Sequence, residues 1–108
     1  MDIIKEKVEE LVAAIEDSSE YQNFLAARKQ VDLVPGLEDK IRKFCWENYE
    51  LQSSDEEGLY ERMEAFEEQY EEFRRNTVVE KYLEHELRMC RMLQAINARI
   101  MDVVDLVI

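Results

Sequence analysis

The apolar positions fall into helical stripes from one end of the chain to the other. Between Asp2 and Glu16, Ile4, Val8, Leu11 and Ile15 are spaced 4, 3 and 4 apart, which places them on one face of a first helix. Asp17, Ser18 and Ser19 interrupt the stripe with capping chemistry. Ser19 with Gln22 three residues on reads as a capping box, and Asp17 with Glu20 is an alternative register. A second helix, to about Asp32, carries Tyr21, Phe24, Ala27 and Val31 on one side. Pro35 suits the first turn of a third helix, where its missing N–H would have no partner. Leu37, Ile41, Phe44 and Leu51 mark the inner side of that helix, with Cys45 beside them. Trp46 and Tyr49 point elsewhere, so this helix is expected to touch two neighbours.

Gln52 to Gly58 is polar, contains one of the two glycines and reads as a flexible loop. A fourth helix follows, with Leu59, Met63, Phe66, Tyr70 and Phe73 spaced 4-3-4-3 as a coiled-coil-like seam. Arg74 and Arg75 close it, where cations suit the negative end of the helix dipole. Asn76 is a good N-cap for the last helix. From Asn76 to Ile108 there is neither Gly nor Pro. An unbroken helix over that span would run roughly 48 Å at 1.5 Å per residue. A compact monomer of this length has a diameter of only about 34 Å. The helix would overhang its own domain, and the overhanging end, Val103 to Ile108, is mostly apolar.

The expected architecture is all-α: one domain over residues 1–108, a bundle of about five helices with a long C-terminal helix, oligomeric. Two Gly and one Pro leave little material for β-turns or active-site loops, and 46% hydrophobic content argues against disorder. A net charge of −12 argues against direct contact with nucleic-acid backbone or an anionic membrane, since both need a basic surface. The acid concentrates between Asp55 and Glu72, where nine carboxylates face one Arg. No apolar run approaches the roughly 20 residues that span a bilayer. The first residues lack the pattern of a signal peptide, and two well-separated cysteines, Cys45 and Cys90, fit a reduced, cytoplasmic setting.

The last helix gathers Tyr82, Leu83, Met89, Leu93, Ile96, Ile100, Val104 and Val107 as a candidate interface, with Lys81, Arg88 and Arg99 opposite. Glu86 and Asn97 sit near the middle of that face and need partners if it is buried. One reading makes them register-fixing polar residues of an oligomer; the other places them at the edge, in solvent, and is preferred for Asn97. Glu67, Glu68, Glu71 and Glu72 form a candidate acidic docking face for a basic protein, the simpler reading being a solvated surface. His85 is the only histidine and reads as an exposed residue without a role. Tyr82 stands three residues before it, so the Glu-x-x-His pairs of carboxylate-bridged iron bundles are absent. The methionines near Cys90 read as adaptable packing rather than copper ligands. These patterns point to no catalytic residue, no cofactor, no metal and no small-molecule substrate.

Two blocks carry a resemblance over nearly the whole chain. The first is Ser19, Glu20, Tyr21, Phe24, Ala27, Val31, Pro35 and Phe44; the second is Asn76, Val79, Tyr82, Leu83, Glu84 and Glu86, followed by Leu93, Ile96 and Asn97. In order and spacing they resemble the YlbF/YmcA family of small helical bacterial regulators. Val34, Thr77 and His85 depart from its pattern, standing where the family has Asp, Pro and a small residue. The resemblance implies an oligomeric cytoplasmic protein without enzymatic activity. It also implies a role in a complex that works with a membrane-anchored endoribonuclease on messenger RNA maturation, and through it in competence, sporulation and biofilm formation. That complex is associated with iron–sulfur clusters, for which Cys45 and Cys90 are too few thiolates. The expected partners are a second copy of the chain and other protein subunits. The alternatives are a purely structural homo-oligomer and a metal-binding bundle.

Overall fold

A computed structural model describes residues 2–54 and 57–105, and within them the chain forms six helices. They are α1 (Asp2–Glu16), α2 (Ser19–Asp32), α3 (Leu37–Gln52), α4 (Leu59–Gln69), α5 (Glu71–Arg75) and α6 (Thr77–Val104). Four of the five connections are built by short-range chemistry. Ser18, rather than Ser19 or Asp17, caps α2: its hydroxyl accepts from the Tyr21 N–H at 3.2 Å. Ser19 instead donates to Glu20, and Gln22 reaches back to the Glu16 carbonyl. Pro35 does not enter α3. It sits in a tight turn closed by the Leu37 N–H on the Val34 carbonyl at 3.2 Å, with Gly36 left-handed at φ 78 and ψ −5. A type II turn requires that conformation at its third position, so the proline belongs to the turn and the helix starts one residue beyond the glycine. Gly58 repeats the left-handed entry at the start of α4, after a loop whose residues 55–56 lie outside the described residues. Asn76 caps α6 as expected, its side-chain oxygen accepting from the N–H groups of Val78 and Val79.

The expected fourth helix is two. Its axis breaks at Tyr70, where φ −104 and ψ 11 leave the helical region. The cause lies across the interface with α3. The Tyr70 ring stands edge-on to Phe44 at 5.0 Å, and its hydroxyl is held by the Glu47 carboxylate. Phe66 and Phe73 also pack on Phe44, each at 5.5 Å. A straight helix would carry its seam past one aromatic ring. The bend at Tyr70 wraps the seam around it.

The core sits where α2, α3 and the first half of α6 meet. Val31, Leu37, Ile41 and Val79 form its buried centre, with Cys45, Phe73, Val78, Tyr82 and Leu83 packed around them. Val79 has no exposed surface at all. α2 runs antiparallel along α6, from Val31 beside Val79 to Ser19 and Glu20 near Arg88, Arg91 and Met92. At 14 residues α2 is about 21 Å long, whereas the 28 residues of α6 reach about 42 Å. Half of the last helix therefore runs on without a partner helix.

α6 ends at Val104. Asp105 turns left-handed (φ 56, ψ 41) and its N–H bonds the Met101 carbonyl at 2.8 Å. Asp tolerates this conformation better than most residues, and it stops the helix short of the Ile108 end expected from the pattern. Residues 106–108, Val107 among them, lie outside the described residues. The overhang still shapes the molecule, which measures 51 × 38 × 18 Å with a radius of gyration of 17.8 Å. About 13 Å is typical of a compact chain of this length.

Replacing Asn76 with Ala should lower the unfolding free energy by about 1 kcal/mol, the usual loss for a side-chain cap. Ile41→Ala, in the buried centre, should remove about 2–5 kcal/mol. Urea denaturation followed by circular dichroism measures both, and an equal effect of the two would contradict this placement of the core.

Candidate functional site

The chemistry divides among a basic-flanked apolar rod, an apolar arm, an acidic face and a small, partly buried polar cluster at the edge of the core. The rod is the second half of α6. Tyr82, Leu83, Glu86 and Met89, from the first half, are half-buried. Leu93, Ile100 and Val104 are exposed, Ile100 by 52%, and Ile96 is partly covered. The candidate interface is thus two surfaces: its N-terminal part belongs to the core and its C-terminal part faces solvent. Asn97 is exposed within that second part.

The arm is α1, whose expected single stripe is left largely exposed: no residue of the helix is buried, and Ile15 is partly covered. Ile3, Ile4, Val8, Leu11 and Val12 are all exposed, and the helix that α1 meets in its own chain is α2. A further apolar surface lies on α3, where Trp46 and Tyr49 stack on each other at 5.9 Å while remaining 60% and 64% exposed. α3 does touch two neighbours, α2 and α4, but neither covers this pair. The signal for both surfaces was present in the sequence as apolar stripes, but a stripe does not say whether its own chain covers it.

On the acidic face, Glu67, Glu68 and Glu71 line an open groove with Glu64, Glu80, Arg74 and Arg75. Glu72 is exposed but does not line that groove. The face is partly compensated. Arg75 pairs with Glu71 at 2.7 Å, and Arg74 lies over the Phe44 ring at 5.9 Å. Exposed pairs of this kind add little stability, so the carboxylates remain available to a basic partner.

Within the core, Glu86 adjoins Tyr82 and Cys45. Burial chiefly, and then the Glu86 carboxylate through its charge and a hydrogen bond, push the Tyr82 phenol up to about 12. Burial and the Glu86 charge also raise the Cys45 thiol, which keeps it protonated and a poor nucleophile or ligand. Cys90 is free and exposed. Two thiols, one of them held protonated, do not fit the four thiolates of an iron–sulfur cluster. Among the described residues no three His, Cys, Asp or Glu side chains converge as a metal site. His85 is half-buried rather than exposed, and its Nδ1 is shielded from solvent without a hydrogen-bond partner. No helix among the described residues is long and apolar enough to cross a membrane.

A family described as control of competence regulator ComK, YlbF/YmcA, matches the chain over residues 4–105. No curated protein and no solved structure matches it.

The Tyr70 phenol is likewise pushed up to about 12, chiefly by its hydrogen bond to the Glu47 carboxylate, and the two phenols carry a pH signature. Each stays neutral in the folded protein above its ordinary value of 10, so its contribution to stability is complete below pH 10 and disappears as the pH rises towards 12. Titrating tyrosinate absorbance should show Tyr70 and Tyr82 ionising near pH 12. Glu47→Gln should return Tyr70 most of the way to 10, because the hydrogen bond to Glu47 is its main cause. Glu86→Gln should move Tyr82 only partway, since burial dominates there. Equal shifts in the two variants would overturn this assignment of causes.

Proposed function

The chain belongs to the YlbF/YmcA family, a family of regulators, and from that premise we propose that it is a non-catalytic helical adaptor. It assembles through the second half of α6 and presents the acidic face of α4 and α5 to a basic protein client. The observation that carries this reading is the uncovered apolar half of α6, continuous with the core yet beyond the reach of α2. Exposed apolar surface of that extent marks a protein-interaction site.

The division of labour follows from the two chemistries. Apolar burial along the rod supplies affinity. The carboxylates of Glu67, Glu68, Glu71 and Glu72 steer a cationic partner, raise its rate of encounter and repel acidic competitors. The regulatory setting implied by the family, a complex acting with an endoribonuclease on messenger RNA and so on competence, sporulation and biofilm formation, is the role proposed for the adaptor. The protein works there in the cytoplasm, through protein subunits rather than by binding RNA or membrane itself.

Light scattering tests the assembly half of the proposal. The protein should be oligomeric at micromolar concentration, and Leu93→Asp with Ile100→Asp should reduce it to a monomer of unchanged helicity. A monomeric parent protein would sink the reading. For the acidic face, Lys at positions 67, 68, 71 and 72 should slow capture by the co-purifying native client about tenfold or more at low salt. An unchanged association rate would remove that face from the mechanism.

A further inference from the structure

Resting on the proposed self-association, the structure assigns an occupant to the exposed half of α6: α1 of a second copy, with the exchange made reciprocally. Four observations converge on it.

The first is that α1 has no business being an isolated helix. Helices of fifteen residues are marginal in water without tertiary packing, and α1 buries no residue in its own chain: it meets α2 near its end, where Ile15 is partly covered, and leaves Ile4, Val8 and Leu11 exposed. The second is fit. The α1 stripe of Ile4, Val8, Leu11 and Ile15 has spacings of 4, 3 and 4, and the α6 stripe of Leu93, Ile96, Ile100 and Val103 has spacings of 3, 4 and 3. Both are coiled-coil seams, and α1 at about 22 Å matches the roughly 21 Å of α6 left beyond α2.

The third observation is charge. α1 carries five carboxylates against Lys5 and Lys7, a balance of −3. The final fifteen residues of α6, 90–104, carry Arg91 and Arg99 against Asp102, a balance of +1. Pairing α1 with α1, or one α6 end with another, sets like charges together. The crossed pairing sets opposite ones together and satisfies two-fold symmetry, because each copy gives one arm and receives one.

The fourth is area. The chain exposes 8964 Å², about 2,600 Å² more than the roughly 6,350 Å² of a compact monomer of its mass. Obligate dimers bury about 2,000–5,000 Å² in total, or about 1,000–2,500 Å² per copy. The surplus is of the size that a reciprocal exchange of arms consumes.

Cross-linking tests the arrangement in the full-length chain. In a Cys45→Ser, Cys90→Ser background, one tagged copy carries Val8→Cys and a second, differently tagged copy carries Ile100→Cys. These positions face each other when the paired helices run antiparallel, and Leu11→Cys in place of Val8→Cys faces Ile100→Cys when they run parallel, so the two combinations together cover both directions. After mixing and mild oxidation, disulfides should link the two different copies, and single-variant samples should link several-fold less. A dimer that forms only V8C–V8C or I100C–I100C links overturns the exchange while leaving self-association standing. A parent protein that light scattering finds monomeric overturns both. Val8→Asp supplies an independent measurement. Because Val8 is exposed and α1 buries no residue, the variant should keep its helicity while dimerisation weakens more than tenfold; unaltered dimerisation counts against the exchange.

Discussion

The mismatch in length between α2 and α6 governs the rest of the molecule. Two antiparallel helices bury a shared seam only as far as the shorter one reaches, here about 21 Å of about 42 Å. Everything inside that reach is ordered by burial: Val79 is fully enclosed, and Val31, Leu37 and Ile41 surround it. Outside it the same helix continues with the same rhythm of apolar residues, because Gly and Pro are absent and Ala95, Ala98 and the leucine and isoleucine residues sustain helical backbone. Helix continuity and core burial are thus decoupled at about Leu93. A surface results that is chemically core and geometrically exterior.

Electrostatics confines what that surface can meet. A chain of −12 repels its own copies over most of its area. The carboxylates are concentrated on α4 and α5, where Glu67, Glu68 and Glu71 face a groove away from the aromatic seam. The C-terminal half of α6 is close to neutral, so copies approach there with the least repulsion. The kink at Tyr70 serves the same segregation. By turning Phe66, Tyr70 and Phe73 around Phe44, it takes the aromatic rings inward and leaves the acidic residues outward on both short helices.

Most of the helices were legible in the sequence because periodicity and caps act locally. The span of α1, the start of α4 and the Asn76 cap needed only neighbouring residues. Three of the departures have non-local or finely balanced causes. Ser18 competes with Ser19 and Asp17 for one N-cap, and adjacent hydroxyls are indistinguishable by type. Pro35 fits a turn or a first helical turn equally well until Gly36 adopts φ 78. The break at Tyr70 depends on Phe44 and Glu47, more than twenty residues away in the chain. The candidate interface was legible as a stripe but not as two surfaces, since its division at Leu93 is set by the length of a different helix. For the same reason the α1 stripe was legible as one face of a helix, without recording whether its own chain covers it.

That last distinction bears on how such a protein works as a regulator. In the proposed assembly, a monomer that leaves an arm and half a rod in water would gain burial of those residues only on association. Stability then depends on the concentration of copies or partners, as for any native state stabilised by a ligand it alone binds. A subunit without its partner populates open forms more often and is removed faster by proteolysis, so the amount of free chain follows the amount of assembled chain. Regulation by an adaptor of this build needs no catalytic residue. In that proposal the energy that would switch it is the apolar surface of α1 and α6, covered in the assembly and wet in the free chain.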